Sequence, residues 1–245
     1  VGSVSTEIRG AVAIVTLDNA ARRNAIDAEV ASGLAAAAAA LRKRKDVGAL
    51  VLRGAGEMAF SAGFDLKFME QFKRRGEGFA KIEKGVEAFC RHMASMPFPT
   101  IAMLRANCYG GGVQLAASAD FRFGDDVLKL SVPAVRNRLY YSIGALERLY
   151  AIVGAARTRR VMLAGETFDA RTLREWGFLD EVFPAADLER ETLAFAAQLA
   201  GQPREVVSVY QDVFRALDRG DAAKARRLRL RAKGQRGTSR PRGRG

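Results

Sequence analysis

Residues 107–120 read NCYGGGVQLAASAD, and the reading of this stretch decides the fold. It follows TIAML at 100–104, a continuous apolar run of the kind found in strands buried on both faces. The glycines at 110, 111 and 112 then open a short helix. Glycine lets the backbone turn through positive φ and approach a ligand without a Cβ in the way. A helix start exposes unpaired N–H groups and partial positive charge. A strand, a glycine turn and a helix start together form a cradle for an anion or a polarised carbonyl oxygen. Gln114 stands three residues on from the middle glycine. Acid–base chemistry there would want a carboxylate, and an amide does not titrate.

Working outward, a second turn of the same kind appears. ALVLRG at 49–54 reads as another buried strand, and FSAGFDL follows it and enters a helix. Either glycine turn alone is a weak signal. Two in succession, each after a buried strand, can aim two backbone amides at one oxygen, which is the geometry of an oxyanion hole.

The rest of the chain alternates in the same way. Residues 11–18 form a β-rich run that TEIRG can pair with through the Arg9–Gly10 turn. Asp27 is placed to cap a helix over 28–44, and six alanines at 35–40 favour that helix. A helix is predicted from FDLKFMEQFKRR and another over 78–96, ended by PFP. Strands follow at 121–124 and in LKLSVP. From 143 the pattern is helical, with segments at 143–153, 155–164, 170–176, 187–200 and 204–218 and one short strand in DEVF. Strands alternating with helices, then a helical C-terminal part, give an α/β class. The division is 1–185 as the core, 186–233 as a C-terminal helical region, and 234–245 as a basic, disordered tail.

Composition bounds the function. The chain has 245 residues, 49% of them apolar, enough for a sizeable core. No apolar run approaches the roughly 18 residues of a membrane span. The opening VGSVSTEIRG shows no basic-then-apolar signal pattern. A cytoplasmic protein is expected, with Cys90 and Cys108 as reduced core thiols. The net charge is +13, but ten Lys or Arg and no acid lie between 224 and 244, so the remainder carries only +3. The basic character belongs to the tail, which reads as a solvated end. Charge alone would let such a tail touch nucleic acid, yet no zinc-finger or RNA-recognition signature lies upstream, and nucleic acid is not the expected partner. His92 is the only histidine, sits at a helix end, and reads as a capping or packed residue. No residue cluster has metal-ligand spacing.

The sequence resembles the crotonase superfamily, the enoyl-CoA hydratase/isomerase family. The resemblance rests on RRNAID (22–27), ALVLRGAGEMAFSAGFDL (49–66), PTIAMLRANCYGGGVQLAASADFRFG (99–124), LSVPAV (130–135), GALERL (144–149) and AGETFDARTLREWGFLDEVFP (164–184). It covers about 5–215, leaving the tail without a counterpart. It implies a crotonase-like (ClpP/crotonase) spiral of repeated ββα units with a C-terminal helical trimerisation region, and a homotrimer or hexamer. It also implies an acyl-CoA thioester substrate in fatty acid metabolism, a lyase or isomerase activity, and no cofactor beyond the coenzyme A carried by the substrate. By resemblance, the N–H groups of Phe64 and Gly111 form the oxyanion hole. Arg23 and Ala25 would line the nucleotide pocket, with Arg23 suited to a phosphate. Ala62, Asp65 and Leu66 would lie beside the adenine.

The resemblance breaks at the two glutamates that serve hydratases. Gln114 and Ala134 occupy their positions, so the residues argue against efficient hydration. Tyr141 aligns with a functional tyrosine of a decarboxylating branch. It also reads equally as a packed aromatic, with Tyr140 beside it. Arg136 and Arg138 flank this segment and could hold an acyl carboxylate, although surface charge is the simpler reading. Glu147 suits a helix-face ion pair. Three readings stay open: an acyl-CoA decarboxylase or hydrolase of the same fold, a non-catalytic CoA-thioester binder, and a nucleic-acid binder acting through the tail.

Overall fold

The computed structural model describes residues 2–65 and 80–237. Among them are nine strands: β1 (Ser3–Arg9), β2 (Val12–Asp18), β3 (Ala49–Gly54), β4 (Thr100–Leu104), β5 (Asn107–Tyr109), β6 (Phe121–Asp125), β7 (Lys129–Ser131), β8 (Thr167–Asp169) and β9 (Glu181–Phe183). The helices are α1 (Ala28–Leu41), α2 (Ala80–Met93), α3 (Gly111–Ala116), α4 (Ile143–Arg159), α5 (Ala170–Glu175), α6 (Leu188–Ala200), α7 (Arg204–Asp218) and α8 (Ala222–Gly237).

A six-stranded sheet runs in the order β1-β2-β3-β4-β6-β9, and a three-stranded sheet in the order β5-β7-β8. Only the β1–β2 hairpin in the large sheet is antiparallel, turning at Gly10 with φ 60°. The other pairs are parallel. Their apolar runs are continuous because both faces are covered. Ala13, Val15, Leu50, Leu52, Ala102 and Leu104 face the core that includes Leu34 of α1 and Phe89 of α2. Their neighbours Ile14, Val51, Ile101 and Met103 face Leu188 and Ala196 of α6. Packing therefore continues across residues 185 and 186, because α6 is the cover of the second sheet face.

Local chemistry sets the helices. The Asp27 carboxylate accepts the Val30 N–H and caps α1. A Cβ at Gly85 would stand 3.0 Å from the Ala31 methyl, so small residues let α1 and α2 pack closely. α1 ends at Leu41, three residues before the expected end. The expected break at 154 is a kink inside α4, where Gly154 takes φ 79°. The chain then passes into a π-helical turn at Arg160–Ala164. β5 and β8 were not expected from sequence. Each has three residues, too few for a periodic signal, and each is fixed by its pairing with β7.

The helix predicted from FDLKFMEQFKRR lies outside the described residues, apart from its first two positions. The tail assigned to 234–245 is corrected at its start: α8 continues through Gly237. Its Ala, Lys, Arg and Leu content favours helix, and that propensity carries past Gly234. Among the described residues no helix is long and apolar enough to cross a membrane.

Candidate active site

The two glycine turns meet because the segments leading into them pair side by side. Phe60 N–H donates to the Arg105 carbonyl at 2.8 Å, Ser61 N–H to Asn107 at 3.2 Å, and Tyr109 N–H to Ser61 at 2.8 Å. This bridge between Ser61 and Cys108 is parallel, so both strands run into their turns at the same end. A Cβ on Gly63 would lie 2.6 Å from the Tyr109 carbonyl oxygen and 3.0 Å from the Gly111 nitrogen. Gly63 has φ 83° and Gly110 has φ 52°. On the other side, Ile26 N–H donates to the Gly63 carbonyl and Asp65 N–H to the Ile26 carbonyl. In such a parallel bridge the middle residue points its own N–H away from the partner. The Phe64 N–H is thus turned away from residues 24–26. Gly111 is the first residue of α3, and first-turn N–H groups find no acceptor within their helix.

A cleft of about 450 Å³ opens over this junction, lined by Ala62, Phe64, Tyr109, Gly110, Arg136 and Tyr141 among others. Adjoining it is a small pocket of about 10 Å³ whose wall includes Gln114. Gly110 and Tyr141 line both spaces. The Tyr141 hydroxyl comes within 3.1 Å of where a Cβ on Gly110 would stand. Its ring lies 6.2 Å from that of Phe64. Burial raises the Tyr141 pKa above that of an ordinary phenol, so near neutrality the hydroxyl is a neutral donor and not a base.

The enoyl-CoA hydratase/isomerase family matches residues 7–239. The chain belongs to this family. A Rhizobium meliloti (strain 1021) protein named "Probable enoyl-CoA hydratase" is 31% identical over 194 residues, 79% of this chain and 74% of that one. Mevalonyl-coenzyme A hydratase SIDH of Beauveria bassiana is 30% identical over 207 residues, 81% and 73% of the two chains. The crystal structure of enoyl-CoA hydratase from Bacillus anthracis shares the fold, with TM-score 0.84, 22% identity, and coverage of 95% and 90%. The match to the enoyl-CoA hydratase/isomerase family reaches beyond the limit of about 215 read from sequence. The Arg-rich composition of α8 hid that extension.

Against the pattern of the enoyl-CoA hydratase/isomerase family, the expected site residues divide into two groups. Phe64, Ala62 and Tyr141 line the cleft, Gln114 lines the small pocket, and Gly111 packs against the Phe64 ring. Ala25 is buried and Arg23 is exposed with φ 52°, neither lining the cleft, and the Arg23 carbonyl accepts the Ala62 N–H. The buried Asp65 carboxylate is held by Arg22, a partner that sequence reading did not name. Leu66 lies outside the described residues. Ala134 is buried and carries no functional group. Tyr140 is 91% exposed, and neither Arg138 nor Glu147 lines the cleft. His92 sits in the last turn of α2, away from the cleft lining, with its pKa lowered by burial and by Arg42 and Arg91.

Sequence reading missed Glu166, which lines the cleft just after Gly165. Its carboxylate accepts from Arg160 at 2.7 Å, which lowers its pKa and weakens it as a base. The available signal was the glycine itself, Gly165, which takes φ 60° in the fold. It also missed the ion pair between Glu87 of α2 and Arg148 of α4, 2.7 Å apart. Among the described residues, the Gln114 side chain is 4% exposed as a residue, and neither its oxygen nor its nitrogen has a hydrogen-bond partner.

Proposed function

We propose that the protein binds an acyl-CoA thioester and stabilises its enolate through two backbone amides, Phe64 N–H and Gly111 N–H. The supporting observation is the contact between the turns, in which a single added Cβ on Gly63 would collide with the Tyr109 carbonyl. Loss of one oxyanion donor typically costs about 10²–10³ in rate, so this pair is the main source of catalysis. Tyr141 adds a neutral hydrogen-bond donor above Gly110. Arg23 and Ala25, with Ala62, Asp65 and Leu66, would hold the nucleotide end of coenzyme A. The relatives' printed activities are hydrations of CoA esters, and the thioester is what this chain would share with them.

Hydration itself needs one group to deprotonate water and another to protonate carbon. Gln114 and Ala134 supply neither. Arg136 on the cleft wall favours a second reading, loss of CO₂ from a malonyl-type ester, which requires no removal of an α-proton. The exposed Tyr210, Phe214 and Leu217 of α7 support self-association, as a trimer or a pair of trimers.

The test is a panel of enoyl-, malonyl- and β-ketoacyl-CoA esters followed by mass spectrometry. Crotonyl-CoA should be hydrated at least about 10²-fold more slowly than by an enzyme with both glutamates, the usual worth of acid–base groups. Rapid crotonyl-CoA turnover overturns the argument from Gln114 and Ala134. Failure of every ester to bind overturns the acyl-CoA reading.

A further inference from the structure

A second cleft, of about 350 Å³, lies between the C-terminal ends of α1 and α2 and the turn joining α7 to α8. Volumes of this size hold small-molecule ligands. Arg42, Arg215, Arg219 and Lys224 line it together with a single carboxylate, Asp212, so its wall carries a surplus of three positive charges. Among the described residues no aromatic side chain lines it. α1 runs from its cap at Asp27 to Arg42, about 21 Å at 1.5 Å per residue. The cleft thus stands about a helix length from the 22–27 loop.

Structural roles account for two of these cations, because helix C-termini attract positive charge. Arg42 closes α1 and donates to the Ser95 hydroxyl at 3.2 Å. Arg215 donates to the Met96 carbonyl at 3.1 Å and to Asp212 at 2.6 Å, so the one carboxylate is already engaged. Arg219 and Lys224 have no such role. Both are exposed, and among the described residues neither forms an ion pair. The turn that carries them is fixed: Gly220 takes φ 71°, and the Asp221 carboxylate accepts the Lys224 backbone N–H. The positive field reaches His92 in the last turn of α2. A helix end favours a protonated ring, yet burial and then Arg42 and Arg91 lower its pKa.

A wall of this kind holds an anion. The guanidinium fork matches phosphate oxygens, and an ammonium meets them as a point charge. One phosphate group carries about −2 near neutrality, less than the surplus, whereas two linked phosphates match it. We propose that this cleft binds a diphosphate group, gripped by Arg219 and Lys224, with Arg42 and Arg215 completing the positive wall. The group can come from free diphosphate or from a nucleotide. A nucleobase finds no aromatic platform here, so the phosphates carry the affinity. The site is independent of the acyl-CoA reading above.

Isothermal titration of the full chain at low salt with sodium diphosphate, inorganic phosphate and ADP tests it. Diphosphate should bind at least about tenfold more tightly than phosphate, and Arg219→Ala or Lys224→Ala should each weaken it about tenfold, the scale of one charge-assisted hydrogen bond. Both side chains are exposed, so the variants should melt as wild type does. Arg171→Ala removes an exposed arginine of α5 and should leave the affinity unchanged. ADP bound no more tightly than diphosphate upholds the site and identifies the free anion as its ligand. ADP bound at least tenfold more tightly upholds the site and identifies a nucleotide. Four results overturn the proposal: no diphosphate binding by wild type, equal affinity for phosphate and diphosphate, unchanged binding by a variant lacking both Arg219 and Lys224, or an equal loss in Arg171→Ala. The last would mean that net charge alone attracts the anion.

Discussion

Gly63 and Gly177 share an unusual backbone angle, φ 83° and 77°, yet they stand in different surroundings. A Cβ on Gly177 would meet nothing within 4 Å, whereas on Gly63 it would strike the Tyr109 carbonyl at 2.6 Å. Gly177→Ala should therefore cost only the backbone strain, about 1–2 kcal/mol. Gly63→Ala should cost about 2 kcal/mol more, because a backbone carbonyl must shift, and should abolish acyl-CoA turnover. Chemical denaturation of both variants, with a turnover assay, measures the difference. Equal losses would show that the turns do not touch. The glycines were legible in sequence as turn residues. The collision was not, because it depends on a residue 46 positions away.

At the scale of elements, one carboxylate fastens α4 to α2. Glu87 Oε1 accepts both the Ser142 hydroxyl and an Arg148 guanidinium N–H, each at 2.7 Å. Ser142 also caps α4 by accepting the Ala145 N–H. This fixes the residue just before the cap, Tyr141, over the cleft. Removing one partner of a mostly buried ion pair leaves a charge without its counter-ion, at a cost of about 3–5 kcal/mol. Glu87→Gln keeps hydrogen-bonding capacity and should lie at or below the lower end. Glu87→Leu combined with Arg148→Leu should recover much of the loss of either single substitution. A double-mutant cycle by urea denaturation reads the coupling, and strictly additive losses would contradict it. Long apolar runs announced β2, β3 and β4, and Asp27 announced α1, because those signals are local. The 61-residue separation of Glu87 and Arg148 left no local trace, and β5 and β8 exist only through partners that the fold supplies.

Across the whole molecule, both thiols are sealed inside. Cys90 and Cys108 are free and fully buried. Burial pushes the Cys90 thiol from 9.0 up to about 11 and raises Cys108 as well. A thiol reagent at mildly alkaline pH should therefore label neither in the native protein and both after denaturation. Prompt native labelling would contradict the sealed core. The linkage has a definite sign. A folded-state pKa above the unfolded value means the stability from the buried thiols is complete below about pH 9 and lost as pH rises beyond it. The melting temperature should fall between pH 9 and 11, and less steeply in a Cys90→Ala, Cys108→Ala variant. The parallel register of the large sheet, with β2, β3, β4 and β6 each laid beside the one before, also carries a consequence for biosynthesis. A chain emerging from the ribosome finds each new edge already built from residues made earlier, so assembly can advance with translation. β9 must wait longest, since it returns to β6 only after about 55 intervening residues.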